Sequence, residues 1–238
     1  VRIEPVQPYL PPATVLLEYF IANGEILLFV VTPTAVTLHT LACQQSQVQQ
    51  LLQLWQMNLN RVPSSSVSQA VKLTANAKGL LQRLYQWLIA PVAEQLAPYQ
   101  HLIIVPHGPL HYLPFHALFD GQRYLLEHYE ISYLPGASLL RYCQETKPAG
   151  AGALIYAHSL QGKLPNTLAE AAKIGAILGQ PITLEDAACV AQLQKQMTAC
   201  RIVHLATHGD FRADNPLFSG LVIGDGWLTT LDIFNLRL

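Results

Sequence analysis

The chain has 238 residues, 51% hydrophobic and only 12% charged, with a formal net charge of −1. That length and balance suit one large domain, or a domain with a small appendage, and exclude a disordered chain. The 14 Lys and Arg form no run, so no basic field recruits nucleic acid or an anionic membrane, and no apolar span reaches the roughly 18 residues a transmembrane helix needs.

The chain opens on Val1 in a polar stretch with Pro5, Pro8, Pro11 and Pro12. Residues 1–13 read as a linker or N-terminal arm, and the lack of a signal peptide fits a segment inside a longer polypeptide. The apolar runs Val15–Ile21 and Glu25–Val31 flank Asn23-Gly24, which supplies the positive φ of a tight hairpin turn. Ala35–Leu41 alternates as a third antiparallel strand would. From Gln44 to Leu59, Val48, Leu51, Leu52 and Trp55 recur at helical spacing. After a loop, Ser66 or Ser68 can cap a long helix whose apolar face runs from Val71 to Leu88. Pro91 kinks that helix or starts a second piece ending near Leu96.

From residue 101 the rhythm becomes strand, loop, helix. His101–Val105, Tyr129–Tyr133, Ala153–Ala157, Ile182–Leu184 and Arg201–Ala206 read as short buried strands. Ala137–Cys143, Leu168–Leu178 and Ala187–Met197 read as helices, the second capped by Asn166 or Thr167. Alternation of this kind predicts an α/β fold with a mostly parallel sheet flanked by helices.

Chemistry concentrates at Ile202–Gly209. An apolar strand delivers His208-Gly209 at its carboxyl end, where open α/β sheets bind ligands. An imidazole there can take a proton from a thiol or hydroxyl. Gly209 removes a side chain, so a substrate backbone can approach an N–H. The alternative is a strand-end histidine satisfied by a backbone carbonyl. His107, His111 and His116 have spacings that suit a metal only on a helix, and Pro106, Gly108, Pro109 and Pro114 forbid one. No metal or other cofactor is expected, because no phosphate-binding glycine loop occurs either; Ala149-Gly150-Ala151-Gly152 precedes a strand and reads as a linker. The four cysteines, Cys43, Cys143, Cys189 and Cys200, form no C-x-x-C pair and suit reduced thiols in a cytoplasmic protein.

Four stretches together resemble the CHAT family, a caspase-like domain often attached to tetratricopeptide repeats in bacteria. They are Leu16–Phe20, His101–Leu118, Leu164–Leu178 with Glu170, and Val203–Gly209 followed by Pro216–Leu221. The resemblance spans residues 15–238. It implies a caspase-like sheet, with residues 14–100 as an N-terminal hairpin and helical part and residues 101–238 as an α/β core incomplete at its C-terminus. It also implies a cysteine endopeptidase acting on protein or peptide, in which His208 is the dyad histidine. The partner cysteine of the family follows Leu231–Leu236 on the next strand, beyond Leu238, so the chain as given is expected to be inactive. The Gly209 N–H would hold the oxyanion. Clan members select a charged residue before the cleaved bond. A basic choice would need a carboxylate, for which Asp210, Asp214 and Asp225 are candidates, each also readable as a solvated loop acid. A non-catalytic scaffold binding protein partners, tetratricopeptide repeats among them, is the competing expectation. A serine hydrolase lacks its G-x-S-x-G elbow.

Overall fold

The computed structural model describes residues 5–145, 150–187, 189–212 and 214–236. Residues 1–4 of the arm, Ala149 of the glycine linker and Ala188 of the third predicted helix lie outside these. Contacts divide the chain into two compact units, Val1–Thr146 and Lys147–Leu238. The change of rhythm at residue 101 is therefore not a structural division: the strand that starts there pairs within the first unit.

In that unit, β1 (Thr14–Ala22) and β2 (Glu25–Val31) form the expected hairpin, with Ala22 opposite Glu25. Asn23 and Gly24 both take positive φ, 52° and 84°, which matches a type I′ turn to the twist of the strands. β3 (Val36–Gln44) adds antiparallel to β2. The two helices that follow are α1 (Gln45–Arg61) and α2 (Val67–Leu88). Each opens on a reciprocal cap: Gln47 Oε1 accepts from the Gln44 N–H at 2.8 Å, and the Gln69 N–H donates to Ser66 Oγ at 3.4 Å. A 3-10 turn holds Pro91, and α3 (Ala93–Leu96) leads to β4 (His101–Val105), which lies parallel to β1. β5 (Glu130–Tyr133) extends the parallel edge, and α4 (Leu139–Glu145) closes the unit. The sheet order is β3-β2-β1-β4-β5.

The period of two along β1 sorts its side chains. Val15, Leu17 and Tyr19 face α1 and α2 and pack with Val48, Leu52, Leu84 and Leu88. Leu16 faces the other way, joining Val31, Ile103, Val105, Ala137 and Leu140, and the arm residues Val6, Tyr9 and Leu10 pack on that cluster. The described part of the arm is thus docked rather than free. The Tyr19 hydroxyl, buried, donates to the Leu88 carbonyl at 2.9 Å and ties strand to helix. Between β4 and β5, Leu110, Leu113, Phe115 and Leu118 plug the core. The three histidines of that loop go separate ways. His107 Nδ1 accepts from the Ile21 N–H at 3.2 Å, His116 Nδ1 lies 3.2 Å from the Tyr133 hydroxyl, and His111 is exposed.

The second unit is built on β6 (Ala153–Ala157), with β7 (Ile182–Leu184) and β8 (Ile202–Ala206) parallel on either side. α5 (Pro165–Leu178) covers one face through Ala171, Leu168 and Ile174, and α6 (Val190–Met197) covers the other through Leu193 and Met197. Helices on both faces are what a sheet apolar on both sides requires. α5 begins one residue before the expected cap: Pro165 occupies its first turn and Leu164 caps it, because proline's fixed φ and missing N–H suit that position. A small antiparallel sheet, absent from the sequence pattern, follows: β9 (Gly209–Asp210), β10 (Gly220–Ile223) and β11 (Gly226–Thr229), then α7 (Thr230–Phe234). The architecture is mixed α/β, compatible with a caspase-like fold. Its parallel pairing is confined, among the described residues, to β1-β4-β5 and β7-β6-β8. No described helix is long and apolar enough to cross a membrane.

Replacing Tyr19 with Phe removes the hydroxyl that donates to the Leu88 carbonyl without changing the shape of the core. The expected cost is about 1–3 kcal/mol, the desolvation penalty of an unmet buried acceptor, read as a lower midpoint in denaturant unfolding.

Candidate functional site

β8 alternates like any strand buried on two faces. Val203 and Leu205 join the cluster under α6, while Ala206 joins the cluster under α5. His204 shares the Ala206 side. Its Nε2 lies 3.1 Å from Glu170 Oε1 of α5, an approach too bent for a directed hydrogen bond, so this atom is buried beside a carboxylate but not formally bonded to it. The ladder to β6 ends with the His158 N–H donating to the Ala206 carbonyl at 3.0 Å. His208 therefore emerges just past the carboxyl end of a parallel strand, where its residue is exposed.

The backbone at this point is clamped. The Thr207 hydroxyl donates to the Val222 carbonyl at 2.7 Å, and the Val222 N–H donates to the His208 carbonyl at 2.9 Å. This bond makes residues 208 and 222 a hydrogen-bonded pair of an antiparallel ladder. Alternation then puts Gly209 opposite Leu221 in a non-hydrogen-bonded pair, with its N–H turned away from β10. Among the described residues β9 is an edge strand, so that N–H faces the open side. The glycine has a second reason: a Cβ at Gly209 would stand 3.1 Å from Leu221 Cδ2, tighter than ordinary packing. β8 is itself an edge, paired only with β6 among the described residues.

The expected carboxylates separate. Asp210 lies exposed on β9, opposite Gly220. Asp214 is bound to Arg212 at 2.9 Å, and that guanidinium holds its carboxyl below the usual carboxylate range. Asp225 instead supports a helix. Its Oδ1 accepts from the Val190 N–H at 2.8 Å, satisfying one orphan donor at the start of α6. The same bond explains why α6 starts at Val190 rather than Ala187.

Two cysteines share the unit of His208. Cys200 sits at the amino end of β8, half-buried in the α6 cluster, and Cys189 precedes the first residue of α6. In the first unit, burial pushes the Cys43 thiol up to about 11 and makes it inert, while Cys143 is exposed on α4.

One cluster at this end of the sheet is not evident from the sequence. His158 leaves β6 as His208 leaves β8, and Glu185-Asp186 follows β7. His158 Nε2 lies 3.6 Å from Glu185 Oε2 and 3.9 Å from Asp186 Oδ1. The signal in the sequence is position alone, a histidine and an acid pair each directly after an apolar run.

A family model, the CHAT domain, matches residues 78–238, well over half of the chain. The chain belongs to the CHAT domain family. The match starts inside α2 and runs through the whole of the second unit, His208 included. CHAT domains are caspase-like, which agrees with β6, β7 and β8 and their two layers of helices. No curated protein matches the chain.

The capping role of Asp225 is open to direct test. Asp225→Ala should lower the stability of the second unit by about 1 kcal/mol, the usual value of a lost N-terminal acceptor. Hydrogen exchange should show the loss in the first turn of α6 and leave α5 unchanged.

Proposed function

We propose that the chain is the histidine-bearing part of a CHAT-type cysteine endopeptidase, with a nucleophilic cysteine supplied from beyond Leu238. The observation that supports this best is His208, exposed at the carboxyl end of β8, next to an edge that no other described strand covers. A cysteine at the carboxyl end of a strand beside β8 would reach the imidazole. The thiolate would attack a peptide carbonyl, and His208 would return the proton to the leaving amine. The outward Gly209 N–H would donate to the oxyanion. Exposure suits such a role, because a protein substrate must reach the imidazole without the domain opening.

The 238 residues alone should not cleave peptides. Within this reading, the substrate is a protein or peptide, attached or partner tetratricopeptide repeats are the regulatory neighbours, and the compartment is the cytoplasm. A second reading, a non-catalytic scaffold, draws on Cys200, which stands at the amino end of β8, opposite the end that carries His208.

Peptide-library cleavage by the chain extended beyond Leu238, compared with its His208→Ala variant, decides between them. The peptidase reading expects cleavage, and a drop in kcat/KM of about 10³-fold or more in the variant with an unchanged melting temperature. Cleavage that survives His208→Ala, or no cleavage by the extended chain, removes it.

A further inference from the structure

β8 carries one side chain that its surroundings do not require. His204 stands opposite Ile155 in the parallel ladder, on the side of β8 that Ala206 shares. The cluster on that side, with Ile155, Ala157, Ala171, Leu168 and Ile174, is apolar. The His204 side chain is 25% exposed, and its Nε2 is buried with no hydrogen bond among the described residues. A polar nitrogen in that state costs free energy that a leucine would not. Stability therefore gives no reason for an imidazole here. Its neighbour does: Glu170 Oε1 of α5 lies 3.1 Å from Nε2.

The pair closes a frame around the carboxyl end of the sheet. Thr167 and Glu170 are three residues apart on α5 and so share a face. The Thr167 hydroxyl lies 3.2 Å from the His158 carbonyl and shares its proton with the Leu164 carbonyl at 2.8 Å. The His158 N–H donates to the Ala206 carbonyl at 3.0 Å, and Ala206 is two residues from His204 on β8. Three members, α5, the end of β6 and the end of β8, are thus joined at three corners. One corner joins backbone to backbone and one joins hydroxyl to backbone. The third is His204 against Glu170. β8 pairs only with β6 among the described residues, so no ladder on its other side resists a tilt. A triangle that loses a corner hinges, and here the hinge would sit four residues before His208.

We propose that His204 is a positioning residue: held against Glu170, it braces α5 to β8 and fixes where His208 stands. It acts through β8 rather than on a substrate. Its part in catalysis rests on the peptidase reading above; the brace does not.

The test reads the brace first and catalysis second. Amide exchange, followed by NMR on the 238-residue chain, compares two N–H groups. The His158 N–H lies at the backbone corner, and the Leu193 N–H donates to the Cys189 carbonyl in α6, on the other face of the sheet. Glu170 is half exposed on a helix, so Glu170→Ala does not threaten the fold. It should speed exchange at His158 about two- to fivefold and leave Leu193 unchanged. His204→Leu should do the same while holding or raising the melting temperature. His204→Gln, whose amide can still donate to Glu170, should restore slow exchange. Equal acceleration at both amides, or a lower melting temperature in His204→Leu, marks a merely structural pair and overturns the proposal. Exchange at His158 that neither Glu170→Ala nor His204→Leu changes overturns it too. In the extended chain, Glu170→Ala should lower kcat about tenfold with KM unchanged, and His204→Gln should keep most of the activity. Cleavage with an unchanged kcat in Glu170→Ala overturns the positioning role. Faster exchange confined to His158 in a chain that cleaves nothing supports the brace and removes only the peptidase reading.

Discussion

The end of β8 is held from two sides by backbone alone. On one side the His158 N–H reaches the Ala206 carbonyl; on the other the Val222 N–H reaches the His208 carbonyl, with the Thr207 hydroxyl on the Val222 carbonyl completing the clamp. Everything that gives this edge of the second unit a chemical character hangs on those bonds. They set His208 beyond the strand, turn the Gly209 N–H outward, and bring the loop after β6 and the start of the β10 hairpin to one cavity. Because the bonds are backbone bonds, side chains around them can change while the geometry stays. A histidine at this place can hence be positioned without being buried.

Much of this was legible in the sequence, and the reasons are local. The run Glu25–Val31 and the run Ala153–Ala157 coincide with β2 and β6 because each is apolar almost throughout and follows a glycine-containing turn. Asn23-Gly24 and Ser66 act through their own backbones and side chains, so short-range chemistry suffices to find them. His208 was found for the same reason: its place at the strand end follows from an apolar run that stops. The sheet of β9, β10 and β11 escaped because strands of two to four residues carry too little alternation to stand out.

The acids were harder, because their roles are set by partners far along the chain. Asp225 looks like any turn aspartate until Val190, from another element, is placed against it. Glu185 looks like a solvated acid until the Ser159 N–H, just after β6, is placed against it, whereas its neighbour Asp186 stays exposed. Conversely, Asp214 lies close to the histidine box but is engaged by Arg212.

The parallel pairing of β1 with β4 carries a kinetic consequence. Thr14 of β1 meets His101 of β4, so both long helices are made between the two partners. During synthesis at about 5–20 residues per second, the apolar edge of β1 waits roughly 4–17 s for its neighbour. Over that interval the hairpin with β2 and β3 and the two capped helices can already form, since their contacts are short-range. The first unit should therefore gain its helical signal early and its sheet closure late, and the nascent hairpin is the point in its life at which this protein most needs shelter from other chains.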